Sequence, residues 1–283
     1  MSVELRELRC LVAIVDRGTF TDAAVELRMS QAAVSRNLAS LERKLGVRLV
    51  RRTTRRLELT EAGDRALRRA RRVLAGIDEL EREARSENRI VRIGYAWSAL
   101  GRRTVPFQRR WAAAHPGIEL ELVRSNTTTA GLADGTARLA ILRRVPPTSH
   151  YDLVLVGLEK RVCAMAADDV WARRRSVTLA EIAERTVAID VATGTTTLAL
   201  WPQDAPPHSV THTADVEDWL TTITAGRAVG VTAESTRDQY RRAGIVYRPV
   251  RDAPPIAVYL AWSRADAPHD RDLVVELLID LYR

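Results

Sequence analysis

Residues 30–46, SQAAVSRNLASLERKLG, constrain the fold of this chain more than any other stretch. Val34, Leu38, Leu41 and Leu45 recur at three- and four-residue intervals, the stripe of an amphipathic helix. Ser30 offers an N-cap and Gly46 a stop. The opposite side then carries Ala32, Ser35, Arg36 and Ala39, with Gln31 at the exposed N-terminal tip. Such a face is shallow, with one long cation, and lets the helix approach another surface closely.

Two helices precede it. Leu5, Leu8, Leu11, Val12 and Val15 predict a helix over 3–17 that Gly18 ends, and Thr21 is expected to cap a short helix from Asp22 to about Arg28. Three short helices with a tight turn between the second and third describe a helix-turn-helix. In that motif the N-terminal residues of the third helix meet base edges in the major groove. Glutamine pairs with adenine, arginine with guanine, and serine with several groups. Residues 47–52 and 56–60 predict two short strands around Thr53-Thr54-Arg55, a hairpin whose guanidiniums suit phosphates or a narrow minor groove. The expected DNA contacts are therefore Ser30, Gln31, Ala32, Ser35 and Arg36 on the helix, with Arg51, Arg52, Thr53, Arg55 and Arg56 on the wing. Charge is placed accordingly. Residues 28–72 hold 14 basic and 4 acidic side chains, whereas the whole chain is only +8.

The stretch SQAAVSRNLASLERKLGVRLVRRTTRRLELTEAG resembles the DNA-binding signature of LysR-type transcriptional regulators. The match covers Ser30, Gln31, Ala33, Val34, Ser35, Leu41, Glu42, Leu45, Gly46, Leu49, Arg52, Leu59, Thr60, Ala62 and Gly63. Ala32 stands where the family often has proline. Val50 replaces a usual phenylalanine, which should thin the packing beneath the wing. The resemblance implies a winged helix-turn-helix over 1–60.

From Glu61 to about Arg85 there is no proline, and Leu67, Ala70, Leu74, Ile77 and Ala84 fall near a heptad seam that Glu81 breaks. By itself this pattern fits a helix packed on its own domain or one paired with a second chain. The resemblance implies pairing: residues 61–89 become a linker helix that dimerises two DNA-binding heads through Leu67, Ala70, Leu74 and Ile77. A homodimer or homotetramer on double-stranded DNA with an imperfect inverted repeat is then expected, with RNA polymerase as a further partner.

The pattern changes at the strand RIVRIGY, residues 89–95. A helix over about 100–114, the alternating strand Ile118–Val123, a short helix and the apolar strand Leu139–Leu142 follow, predicting an α/β domain with a largely parallel sheet. The order VRIG…HPGIELELV…LADGTARLAILR resembles the effector domain of the same family, with Arg138 where aspartate is frequent. The fold class implied is α/β, with an N-terminal winged helix-turn-helix, a long linker helix and a two-lobed, periplasmic-binding-protein-like (type 2) effector domain over 90–283. Lobe I would span 90–160 and 257–283, and lobe II 161–256. Ligands in such sheets lie beyond the carboxyl ends of strands. The candidates are Trp97, Ser98 and Ala99, then Thr127, Thr128 and Thr129, then Thr193, Gly194, Thr195 and Thr196. Their hydroxyls and loop N–H groups suit a small polar or anionic effector.

Other chemistries find no motif. Cys10 and Cys163 are the only cysteines, and His208 and His212 have no third partner, so no metal and no cofactor are expected. No nucleophile–base pair, phosphate loop or dinucleotide motif argues for an enzyme. No run of about 18 uncharged apolar residues is present, and the N-terminus lacks an apolar signal core, so the expected location is cytoplasmic. The reading is a DNA-binding regulator modulated by an effector between the lobes. Its alternative is an effector-independent DNA-binding protein whose C-terminal domain only oligomerises.

Overall fold

The computed structural model describes residues 2–52, 57–85, 89–146 and 149–283. The chain divides into two compact units, residues 1–87 with 133–136, and residues 88–132 with 137–283. Among the described residues, no helix is long and apolar enough to cross a membrane.

The first unit opens with α1 (Leu5–Arg17), α2 (Phe20–Leu27) and α3 (Gln31–Leu45). A hairpin of β1 (Val50–Arg52) and β2 (Leu57–Leu59) follows, then the 25-residue α4 (Glu61–Arg85). Val34, Leu38 and Leu41 enter a core with Leu11, Ile14 and Leu49. Leu45, expected in the same stripe, is exposed, because α3 ends there at Gly46. Thr21 is not the cap of α2. Gly18 closes α1 in the left-handed region (φ 74°), and the next residue, Thr19, is extended and accepts the Asp22 N–H at 3.0 Å. One extended residue suffices to restart the helix, so Thr21 falls within its first turn.

β1 begins later than expected because Glu42, buried on α3, takes the Leu49 N–H at 2.8 Å and also accepts from Val50 N–H and the Arg48 guanidinium. Thr60 closes the other end of the hairpin: its hydroxyl donates to the Arg48 carbonyl at 2.7 Å and accepts from Gly63 N–H at 2.9 Å. Only glycine fits at 63, where a Cβ would lie 2.0 Å from the Leu49 carbonyl oxygen.

The linker seam needs correction. Leu67 and Ala70 are buried in the same core as Leu11 and Ile14, so they hold α4 onto its own unit and are not free to pair with a second chain. Leu74 and Ile77 are half-buried, the Ala84 side chain lies outside the described residues, and Val73 and Leu80 are exposed. The apolar stripe left open on α4 is thus Val73, Ile77 and Leu80.

The second unit holds two lobes. In the first, β3 (Arg89–Tyr95), β4 (Ile118–Arg124), β5 (Leu139–Leu142), β6 (Tyr151–Glu159) and a late strand form one sheet in the order β4-β3-β5-β12-β6, where β12 is Ile256–Ser263. A 3-10 turn at Gly101–Arg103 leads into α5 (Thr104–Ala114), shorter than the predicted helix. Residues 126–136 make successive turns in place of the short helix expected before β5. The second lobe contains β7 (Arg161–Ala166), α6 (Leu179–Ala183), β8 (Thr186–Asp190), β9 (Ser209–Thr213), α7 (Val216–Thr224), β10 (Gly230–Ala233), α8 (Glu234–Gln239) and β11 (Ile245–Pro249). After β12, α9 (Arg271–Tyr282) returns to the first sheet, where its Val274 and Leu278 pack with Phe107 and Trp111 of α5.

Apart from the parallel pair β8-β9, neither of the two larger sheets is largely parallel. β3 runs parallel to β4 and β5, but β12 is antiparallel to both β5 and β6, and β10-β7-β11 is wholly antiparallel. The chain leaves the first sheet along β6 and re-enters along β12, and these two crossing strands must pair head to tail.

Glu7 on α1 is buried, and Lys44 of α3 reaches it at 2.7 Å. Burial alone would raise its pKa, but hydrogen bonds from Lys44, Ser40 and the Glu4 N–H outweigh it and hold the carboxyl down at about 2. A carboxylate with a depressed folded-state pKa contributes stability above its ordinary value and loses it as pH falls toward the folded value. Glu7→Gln should lower the melting temperature at pH 7 and flatten the loss of stability between about pH 4.5 and 2, measured by thermal melts across that range against wild type.

Candidate functional site

Two groups of residues stand out, one on each unit. On the first, Gln31, Ala32, Arg36 and Ala39 are exposed along α3. Ser30 is the N-cap, its hydroxyl accepting the Ala33 N–H at 3.2 Å, and Ser35 is half-buried and already engaged. Asn37 turns its amide back onto the Ala33 carbonyl at 2.9 Å. The longest exposed reach on that face is therefore Arg36, with Gln31 at the tip. Arg51 is exposed on β1; Thr53, Arg55, Arg56 and the Arg52 side chain lie outside the described residues. Glu42, which carried no role in the sequence reading, sets where the basic hairpin leaves α3. Its guanidinium partner Arg48 remains 83% exposed.

On the second unit the three predicted loops do converge. A cavity of about 60 Å³ between the lobes is lined by Trp97, Ser98, Thr127, Thr128, Thr193 and the chain from Ile141 to Pro146. By water-sized occupancy this is room for roughly four or five waters. A smaller one behind Trp97 is lined by Asp190, Gly194, Thr195, Thr196, Trp219 and Thr232. Ala99 and Thr129 are buried and line neither.

Most of the predicted polar contacts are already engaged. Trp97 Nε1 donates across the cleft to the Thr193 carbonyl at 3.0 Å, and Tyr240, just after α8, donates to the Trp97 carbonyl at 2.8 Å. Ser98 Oγ donates to the Ser235 carbonyl at 3.2 Å. Thr193 Oγ1 lies 3.2 Å from Asn126 Oδ1 and 2.9 Å from Asp190 Oδ2. Thr196 Oγ1 donates to the Val231 carbonyl at 2.6 Å. Thr127 and Thr128 remain exposed at the mouth, and Thr127 Oγ1 accepts from Gly131 N–H at 3.3 Å. Thr195 Oγ1 is buried without a partner among the described residues.

Beneath Trp97 lies a group the sequence reading missed. Arg143 forks onto Glu159 through Nε (3.0 Å) and an Nη (2.8 Å), and its remaining donors reach the carbonyls of Ser98 and Ala99, both at 2.7 Å. Glu159 also accepts from Ser235 Oγ at 2.6 Å and Tyr282 Oη at 2.7 Å. The guanidinium carbon sits 4.9 Å from the Trp97 ring centre. Glu159 is wholly buried and Arg143 nearly so. Burial opposes both charges, yet each partner favours the other's ionised form: Arg143 is pushed up and Glu159 down. The signal was available. Arg143 directly follows β5 and Glu159 ends β6, carboxyl ends of strands like those that pointed to the other loops.

Removing one member of such a pair leaves an uncompensated buried charge, at a cost of about 3–5 kcal/mol. Arg143→Met should destabilise the chain by that order in urea unfolding, and the double variant Arg143→Met/Glu159→Met should recover much of the loss.

Similarity searches agree with this architecture. Residues 5–64 match the family described as bacterial regulatory helix-turn-helix protein, lysR family, and residues 84–283 match the LysR substrate binding domain. The transcriptional regulator YnfL of Escherichia coli is 32% identical over 195 residues, covering 65% of this chain and 64% of its own length. AlsR of Bacillus subtilis is 32% identical over 170 residues, covering 58% and 56% respectively. The chain thus spans less than two thirds of the length of these relatives. In fold, it is similar to the crystal structure of CbnR, a LysR family transcriptional regulator, at a TM-score of 0.72, 20% identity and 99% coverage of both chains. CbnR has also been solved at full length with its target DNA, and that structure is similar at a TM-score of 0.67, with the same identity and coverage. With family matches over both units, this chain belongs to the LysR family of bacterial helix-turn-helix regulatory proteins.

Proposed function

We propose that this protein is a transcriptional regulator that binds an imperfect inverted repeat in double-stranded DNA as a homodimer or homotetramer, and whose binding a small effector in the inter-lobe cleft modulates. Residues 1–60 serve as the DNA-binding head, 61–89 as the connecting helix and 90–283 as the effector-binding domain. The observation that carries the DNA half is the exposed face of α3, small except for Gln31 and Arg36, beside a basic hairpin that Glu42 fixes in register. Arg36 reads a base edge and Arg51 pairs with phosphate. Dimer contacts on α4 use Val73, Ile77 and Leu80, the stripe its own core leaves open. The effector half is supported by the cavity between the lobes and by the two chain crossings, which let the lobes change angle.

A second reading, DNA binding without an effector, is favoured by one observation. Trp97, Ser98 and Thr193 already bond to the opposite lobe, and Thr196 to Val231 of its own.

The DNA half is tested on a duplex selected by the wild-type protein from a randomised pool. Arg36→Ala should cost about 1–3 kcal/mol of binding and relax preference at one base position, whereas Arg51→Ala should weaken all duplexes alike and reduce the salt slope by about 1. Fluorescence anisotropy at several salt concentrations reads both. Unchanged affinity and preference in Arg36→Ala would remove the role given to α3.

A further inference from the structure

The first three helices are all closed by a residue in the left-handed region: Gly18 (φ 74°) after α1, Arg28 (φ 53°) after α2 and Gly46 (φ 70°) after α3. Glycine takes this conformation freely, whereas a long side chain takes it against steric resistance. Arg28 is therefore strained where its two counterparts are not. Among the described residues, the other non-glycine with positive φ is Ala130. The turn itself demands the conformation. The Arg28 N–H closes α2 on the Ala24 and Val25 carbonyls, and the following N–H, from Met29, returns to the Ala24 carbonyl at 2.9 Å. Glycine would be the ordinary residue here, as it is at the ends of α1 and α3.

Nothing within the protein offsets the strain. The Arg28 side chain is exposed and makes no hydrogen bond or ion pair among the described residues. The acids nearest in sequence are engaged elsewhere: Asp22 accepts from the Thr19 hydroxyl at 2.6 Å, and Glu26 pairs with Arg17 at 2.9 Å. It is Met29, the next residue, that packs against the core of this unit. A free cation thus stands just ahead of Ser30, the cap of α3, and of Gln31 at its tip.

In a helix-turn-helix the second helix of the motif meets base edges with its N-terminal residues while the first crosses the sugar-phosphate backbone. The turn that joins them lies over the phosphates at the edge of the groove. Resting on the reading of α3 as the helix that enters the groove, we propose that Arg28 is a phosphate-positioning residue. Its guanidinium holds one backbone phosphate beside the groove and so fixes the register in which Gln31 and Arg36 meet the bases. The planar fork of arginine matches a phosphate through two parallel hydrogen bonds. Such a contact carries no sequence information of its own. The turn gives up the relaxed backbone of glycine to place a cation where no internal contact uses it, as strained residues at functional sites do.

The test uses the full chain, a duplex selected by the wild-type protein from a randomised pool, and a scrambled duplex of the same length. Fluorescence anisotropy across a salt series gives affinity and salt slope, and thermal melts give stability. Arg28→Gln and Arg28→Gly should each weaken binding to the selected duplex about tenfold, weaken the scrambled duplex likewise, and lower the salt slope by about 1. Arg28→Lys should restore the slope. Arg28→Gly should melt no lower than wild type, because it removes the strain. Arg109→Gln, the same charge change on α5, should leave affinity and slope unchanged. An unchanged slope in Arg28→Gln, a slope that lysine does not restore, or an equal loss in Arg109→Gln would overturn the inference. A lower melting temperature in Arg28→Gly would make the arginine a structural residue and overturn it too. Arg36→Ala, measured alongside, keeps the two readings apart: if it changed nothing while Arg28→Gln lost affinity and slope, the phosphate contact would stand and base reading by α3 would fall.

Discussion

The second unit depends on one buried ion pair. Arg143 follows β5, and Glu159 ends β6, where the chain leaves the first lobe; between them they engage Ser98, Ala99, Ser235 and Tyr282. Ser235 belongs to α8 of the second lobe, and Tyr282 closes α9 of the first. The pair therefore ties both lobes to one charge centre. Burying two charges is costly, and well-packed apolar residues of similar volume are often as stable. What apolar contacts would not provide is direction. A bidentate fork with every donor and acceptor matched permits one arrangement of strand ends, and Trp97 packs on its face. Gly157 shows how closely this corner is built: a Cβ there would meet the Tyr282 ring at 2.1 Å.

The first unit solves a similar problem with carboxylates on and against α3. Glu42 holds the start of the hairpin through two backbone N–H groups, and Glu7 holds α1 to α3 through Lys44. Both acids lie on the inner side of helices whose outer sides are cationic or small. The surface charge of α3 is thus left for a partner, while the internal charges fix the angle at which the hairpin and the helix present it. A recognition face needs that angle more than it needs stability, since a misplaced arginine reads no base.

How far the sequence carried depended on the range of the forces involved. Helix existence was legible because the stripes of α1 and α3 and the glycines at 18 and 46 are local signals. The cap of α2 was misplaced by two residues because Thr19 and Thr21 are equivalent on paper, and the φ of Gly18 decides between them. The α4 seam was misread by rotation. Leu67 and Ala70 have heptad spacing, but whether that stripe meets α1 or a second chain is a tertiary matter, and α1 takes it. The three cleft loops were legible from strand order. Arg143 and Glu159 were not singled out because charged residues at strand ends are usually solvated, and only the pairing of β5 and β6 through β12 brings these two together.

Hydrogen bonds join the two sides of the cleft. Trp97, Asn126 and Arg144 from one lobe meet the loop after β8 from the other through hydrogen bonds that an effector could make instead. In the proposed regulator such bonds set the threshold. A ligand shifts the lobes only by the amount it binds one arrangement better than the other. It gains nothing by reproducing bonds already made. Its leverage lies where the internal bond is weak, and among these contacts the long bond from Arg144 to Gly194 is weaker than the 3.0 Å bond from Trp97.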